Sequence, residues 1–125
     1  MIHLDTSFLI RAGTRGTPES DRLRSWLSRR TTVRISAVVW AEFLCGPVSL
    51  TAMEAAAEML GAPCALTGID TTLAAHLFNA SGRRRGTLAD CLIAASAINA
   101  RASLATSNSG DFARFERQGL VVESV

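Results

Sequence analysis

The chain has 125 residues, 48% of them hydrophobic and 19% charged, with a formal net charge of +2; this is enough for one domain with a single core and excludes disorder and low-complexity sequence. The charge is small but unusual in kind, because all thirteen basic residues are arginine, the side chain better suited to bidentate phosphate contacts. No apolar run reaches the ~18 residues of a membrane span, since Glu42 interrupts the best candidate, ISAVVWAEFLCG, and Asp5 stands where a secretory signal would turn apolar, so a cytoplasmic protein is expected.

Ile2 to Leu4 reads as a short buried strand, and Ser7 to Ala12 as a helix that Asp5 or Thr6 can cap. GTRGTPES reads as a loop, LRSWLSRR as a helix, and Val33 to Ile35 as a strand. Ser36 is placed to cap AVVWAEFLCG, which Gly46-Pro47 stops. Ser49 or Thr51 begins the helix MEAAAEML, ended by Gly61. CALTGID predicts a strand or extended piece, TTLAAHLFNAS a helix, and SGRRRGT a basic loop. Thr87 opens the apolar helix LADCLIAASAINA; Ser103 to Thr106 is a strand, SNSGDFARF a turn into a short helix, and LVVESV a final edge strand. Alternating helices and short strands predict an α/β fold on a mainly parallel sheet, with ligands at the carboxyl ends of the strands. Cys45, Cys64 and Cys91 are odd in number and lack C-x-x-C spacing, so they are expected to be reduced core residues. The apolar content suggests self-association or a standing partner.

Four acids stand out from the ordinary solvated charge to which Glu19, Asp21, Glu54, Glu58, Asp70, Glu116 and Glu123 are assigned. Asp5 either caps a helix or faces the mouth of the sheet. Glu42 lies in VVWAEFL, so either the helix turns this one position to solvent or the carboxylate is partly buried and needs a partner. Thr87-x-x-Asp90 matches a capping box, yet the same place aims Asp90 at a strand-end cleft. Asp111, in TSNSGDF, reads most simply as a turn residue. If the four converge, each close pair repels by ~4 kcal/mol at an effective dielectric of 20, and only cations make the cluster tolerable. Oxygen donors without His or Cys point to Mg²⁺ or Mn²⁺; His3 and His76 read as structural.

LDTS at residues 4–7, AE at 41–42, GTLADCLIAA at 86–95 and TSNSGDF at 106–112 together resemble, in order and spacing, the PIN-domain ribonucleases, and among them the VapC toxins of VapBC toxin–antitoxin pairs. The resemblance spans the whole chain and implies a single PIN domain over residues 1–125, a three-layer α/β/α sandwich with a mainly parallel central sheet. It implies that Asp5, Glu42, Asp90 and either Asp111 or Asn108 hold one or two Mg²⁺ ions, with Thr6, Ser7 and Thr106 in support. The activity implied is Mg²⁺-dependent endoribonuclease cleavage by a metal-activated water. It further implies a homodimer and a cognate VapB-type antitoxin whose tail fills the acidic cleft, where an antitoxin arginine can replace the metal.

Arg11 and Arg15 after the first motif, and Arg83, Arg84 and Arg85 before the third, are candidates for flanking RNA phosphates, or else simply solvated loop charge. No aromatic platform for bases is evident. The main rival is a non-catalytic RNA-binding module of the same fold. A receiver-like phosphoacceptor would rely on a lysine, and a haloacid-dehalogenase-like phosphatase would carry a second Asp where this chain has Ser7.

Overall fold

The computed structural model describes the backbone of residues 1–125 and every side chain except that of Ser124. Four short strands form the sheet: β1 (Ile2–Leu4), β2 (Val33–Arg34), β3 (Ser103–Thr106) and β4 (Val121–Ser124), ordered β2-β1-β3-β4. Every pairing is parallel, with Ile2 opposite both Val33 and Ser103, and Ser103 opposite Val121. The final strand is an edge strand, as LVVESV predicts. From β1 the chain first moves one way to β2, then returns across β1 to reach β3 and β4. Parallel connections are right-handed, so these two excursions cover opposite faces, giving the α/β/α layering. Between β1 and β3 the order reverses, which is where such sheets bind ligands.

Local chemistry sets the helix starts. Thr17 accepts from Ser20 N at 3.1 Å and Pro18 takes the first position of α2 (Pro18–Ser28). Ser36 accepts from Val39 N at 3.2 Å to open α3 (Ala37–Cys45), and Ser49 from Ala52 N at 3.1 Å to open α4 (Leu50–Leu60). Caps of this kind contribute about 0.5–2 kcal/mol each. At α5 (Gly68–Ala80) the cap is reciprocal: Thr67 Oγ1 accepts from Asp70 N, and Asp70 Oδ2 from Thr67 N. The remaining helices are α1 (Thr6–Ala12), α6 (Leu88–Asn99) and the short α7 (Ser109–Phe112), which runs into a 3-10 helix (Ala113–Gln118).

Several boundaries differ from expectation. α2 starts at Pro18, inside the predicted loop, because Thr17-Pro18 is itself a helix start. In CALTGID, only Cys64 makes a bridge, to Ser36, and α5 begins at Gly68. All three cysteines are free, but Cys45 is exposed rather than in the core.

The core is built around α6, whose small residues Ala94, Ala95 and Ala97 are fully buried and let it pack closely against α5, α3 and β3. Phe8, fully buried on α1, stacks on Trp26 of α2 with ring centroids 5.5 Å apart; truncating such a ring to alanine costs roughly 3–5 kcal/mol. This packing fixes the start of α1 beside β1 and the start of α6 beside the strand ends. Among the described residues no helix is long and apolar enough to cross a membrane.

Candidate active site

Asp5 joins β1 to α1, and its backbone N–H donates to Ala105 O at 2.8 Å, locking it to β3 across the reversal point of the sheet. Its side chain does not cap α1. Instead Oδ2 accepts from Ser7 Oγ at 2.7 Å and from Thr106 Oγ1 at 2.9 Å. Both hydroxyls bind the same oxygen, and neither uses Oδ1. Thr106 is buried at the end of β3 and also accepts from Asn108 N at 3.0 Å, while Ser7 accepts from Ser107 N at 3.2 Å. The loop after β3 is thereby tied to the start of α1.

Asp90 occupies the first turn of α6. The capping box that its spacing suggests is not formed, because Thr87 Oγ1 donates to Arg84 O at 2.6 Å and makes no cap bond. Asp90 is therefore free to face the cleft. Its carboxyl is pushed up to about 6, first by burial and then by the charges of Asp5 and Asp111, with Glu42 adding to the rise and Arg114 opposing it. All four acids singled out in the sequence thus share one electrostatic field, despite lying on four different elements.

The other members are less enclosed. Glu42 is exposed, so α3 turns this position out of the core, and its Oε1 accepts from Thr6 Oγ1 at 2.6 Å. Asp111 and Asn108 are exposed at the start of α7, where Asn108 caps nothing with its side chain. Arg83, Arg84 and Arg85 are exposed in the loop before α6; Arg83 adopts a left-handed backbone (φ 53°) and donates through Nε to Asn79 Oδ1 at 3.1 Å. Arg15 is exposed too. Among the described residues, no three His, Cys, Asp or Glu side chains already enclose a common point fit for an ion. The acids share a field without closing into a finished cage.

Sequence reasoning missed several residues. Glu19 and Asp70, read as solvated charge, are both buried. Glu19 accepts from Arg11 Nε at 2.6 Å and Ser107 Oγ at 2.7 Å. Asp70 takes Thr67 N on one oxygen and Asn99 Nδ2, at 2.8 Å, on the other. Arg114 lies over the Phe115 ring at 4.5 Å, with Nη2 at 3.8 Å from Asp90 Oδ2. The proline at the first position of α2 was the one available signal for Glu19; its burial rests on Ser107, far along the chain.

The PIN domain family model matches residues 2–118. The chain belongs to the PIN domain family. Solved structures with this PIN fold include VapBC2 from Rickettsia felis, bound to a DNA fragment from its promoter, at 23% identity and TM-score 0.76, covering 100% of this chain and 99% of that one. VapBC-1 from nontypeable Haemophilus influenzae is similar at 22% identity and TM-score 0.73, covering 99% and 98%. The sarcin-ricin-loop-cleaving toxin VapC20 from Mycobacterium tuberculosis is similar at 20% identity and TM-score 0.65, covering 97% of each chain. No curated protein matches the chain.

Proposed function

We propose that this PIN domain is a VapC-type toxin, an Mg²⁺-dependent endoribonuclease of the cytoplasm held inactive by a cognate VapB-type antitoxin. The observation that carries the reading is the placement of Asp5 between β1 and α1, held through Oδ2 by Ser7 and Thr106, with Asp90 in the first turn of α6; burial and the negative charges of Asp5, Asp111 and Glu42 push the Asp90 carboxyl up to about 6. Such a field in a partly buried cleft suits a hard divalent cation, and the donors are carboxylate oxygens without sulfur or imidazole. Asp5 and Asp90 would hold it, with Glu42 and either Asp111 or Asn108 completing the set. Mg²⁺, or Mn²⁺ in its place, supplies Lewis acidity that makes water a better nucleophile and neutralises charge on the phosphoryl oxygens.

The chain's own residues do the positioning. Ser7 and Thr106 fix one oxygen of Asp5, so the carboxylate keeps its direction when substrate arrives. Thr6 steers Glu42 across the mouth of the cleft. Exposed arginines of the loop before α6 can take flanking phosphates of the RNA.

The antitoxin finds support in an apolar groove of about 410 Å³ between α1, α2, α3 and α4, walled by Leu9, Leu23, Phe43, Val48 and Met59. Ile10 lines both this groove and the cleft beside Ser7, so one amphipathic segment can fill the groove and continue toward the acids. A basic side chain on that segment would meet the same field as the cation. Homodimerisation is part of the proposal, and Ile69 and Leu88 are apolar side chains left exposed for such a contact.

The test is induced expression of wild type, Asp5→Ala and Asp90→Ala, with total RNA run on a gel. Growth arrest and discrete fragments from wild type alone are expected. The open arrangement of the acids favours the second reading, a non-catalytic RNA-binding module. Intact RNA and normal growth with stable wild-type protein would select it.

A further inference from the structure

Glu19 takes no part in the reaction proposed above, yet at 3% exposure it is the most deeply buried acid among the described residues. It sits in the first turn of α2, where the helix dipole favours a carboxylate. Burial alone pushes its carboxyl up, but hydrogen bonds from Ser107, its own backbone N–H and Arg11, with the charge of Arg11, outweigh that and hold it below the usual range. Its Oε2 is buried with no partner among the described residues. Arg11 is half-exposed and bonds Glu19 through Nε, which leaves the terminal guanidinium nitrogens to point elsewhere. With Glu19 buried and Arg11 more than half exposed, the short bond to Nε fixes the direction in which the guanidinium leaves the surface.

Beside this pair opens a cleft of about 410 Å³ lined by Ser7, Ile10, Arg11, Glu19, Ser107 and Asn108. Through Ser7 it adjoins Asp5. The volume lies within the usual range of small-ligand sites, roughly 300–1,000 Å³. Ile10 is 52% exposed and offers an apolar wall, and Asn108 presents an amide donor and acceptor at the rim. No aromatic residue is among those lining this cleft, so Ile10 is the surface on which a base can lie here.

We propose that this cleft is a nucleotide subsite next to the reacting phosphate, in which Glu19 orients Arg11 onto a phosphate of single-stranded RNA while the neighbouring base lies on Ile10 within reach of Asn108. Single-stranded RNA fits because a base must be splayed out to enter. Glu19 is a positioning residue, and Arg11 makes the contact. The inference rests on RNA being the ligand of this PIN domain.

Simple electrostatics and positioning give opposite signs, and that makes the test sharp. Glu19→Gln removes a negative charge near a polyanion, so charge alone would tighten RNA binding; loss of positioning weakens it. Binding of a short, mixed-sequence, fluorescent single-stranded RNA is followed by anisotropy against salt, in the Asp90→Asn background to suppress cleavage. Arg11→Ala should weaken binding roughly tenfold or more and lower the salt slope by about 0.7. Glu19→Gln should weaken it comparably, and the double variant should be no worse than Arg11→Ala alone. Equal or tighter binding by Glu19→Gln, or an unchanged Kd and slope for Arg11→Ala, overturns the subsite. If Glu19→Gln does not fold, the exposed Arg11→Ala decides alone. Wild-type cleavage in Mg²⁺ is run alongside: cleavage with insensitive binding overturns the subsite only, whereas sensitive binding without cleavage supports the subsite and sinks the ribonuclease reading.

Discussion

Metal-free protein should be less stable at pH 7.5 than the same protein carrying Asp90→Asn, and the difference should vanish near pH 4. Asp90 titrates near 6 in the folded chain and near the ordinary 3.9 when unfolded. Between those values the folded state holds the proton that the unfolded state has lost, so stability falls as pH rises and the full penalty applies above 6. A shift of about 2 units corresponds to ~3 kcal/mol; the side chain is 30% exposed, and solvent screening trims this to roughly 2. The helix dipole favours a first-turn carboxylate by only about 0.3–1 kcal/mol, so repulsion and burial win. For a chain of this length roughly 2 kcal/mol is on the order of 6–10 °C in Tm. Thermal melts in a chelator from pH 4 to 8 measure it. Added Mg²⁺ should stabilise wild type by about 2.7 kcal/mol at a hundred times its Kd and Asp90→Asn far less. A gap between the two proteins that ignores pH, or wild type the more stable at pH 7.5, would refute the charge cluster.

Other outcomes follow from single contacts. Thr106→Val and Ser7→Ala each remove a donor from Asp5 and should lower Mg²⁺ affinity or RNA cleavage about 10–100-fold; titration calorimetry and a cleavage assay check this, and wild-type values for both variants would show that the hydroxyls do not orient Asp5. Thr67→Ala opens the capping box of α5 and should cost about 0.5–2 kcal/mol in urea unfolding while leaving cleavage unchanged. Met59→Glu places a charge on the half-exposed rim of the apolar groove and should weaken antitoxin binding in a pull-down with cleavage intact; undiminished capture would move the antitoxin off this face.

The sequence was most legible where one local rule decides the outcome. β1 and β3 are short strands that stop at Asp5 and after Thr106, as read, and the sheet places those stops side by side. Ser36 and Ser49 cap as their positions suggest. Local rules failed where two readings overlap in the same letters. Thr87-x-x-Asp90 has the spelling of a capping box, but Thr87 turns back to Arg84 and Asp90 is released to the cleft. Thr67-x-x-Asp70 is a true box, yet it was hidden in a stretch read as extended. Glu19 and Asp70 are buried by Ser107 and Asn99, partners on distant elements, and no periodicity encodes such pairs.

The cleft is held by groups that stabilise negative charge without cancelling it. Hydroxyl donors from Thr6, Ser7 and Thr106 each offer a neutral hydrogen bond to a carboxylate, so the acids stay directed and the field stays negative. Arg114 is the exception, being a full positive charge, but at 3.8 Å from Asp90 it is beyond hydrogen-bond range. A bidentate contact at shorter range would neutralise Asp90 and remove the reason for a cation to bind. A more distant arginine would leave the charges of Asp5, Asp111 and Glu42 acting on Asp90 unopposed. Arg114, stacked over Phe115 at 4.5 Å, is held at an intermediate distance by a cation–π contact as well as by the ion pair itself. In the proposed toxin, a cation and a basic antitoxin side chain would then compete for one field, and linkage requires each to weaken the other by the same factor.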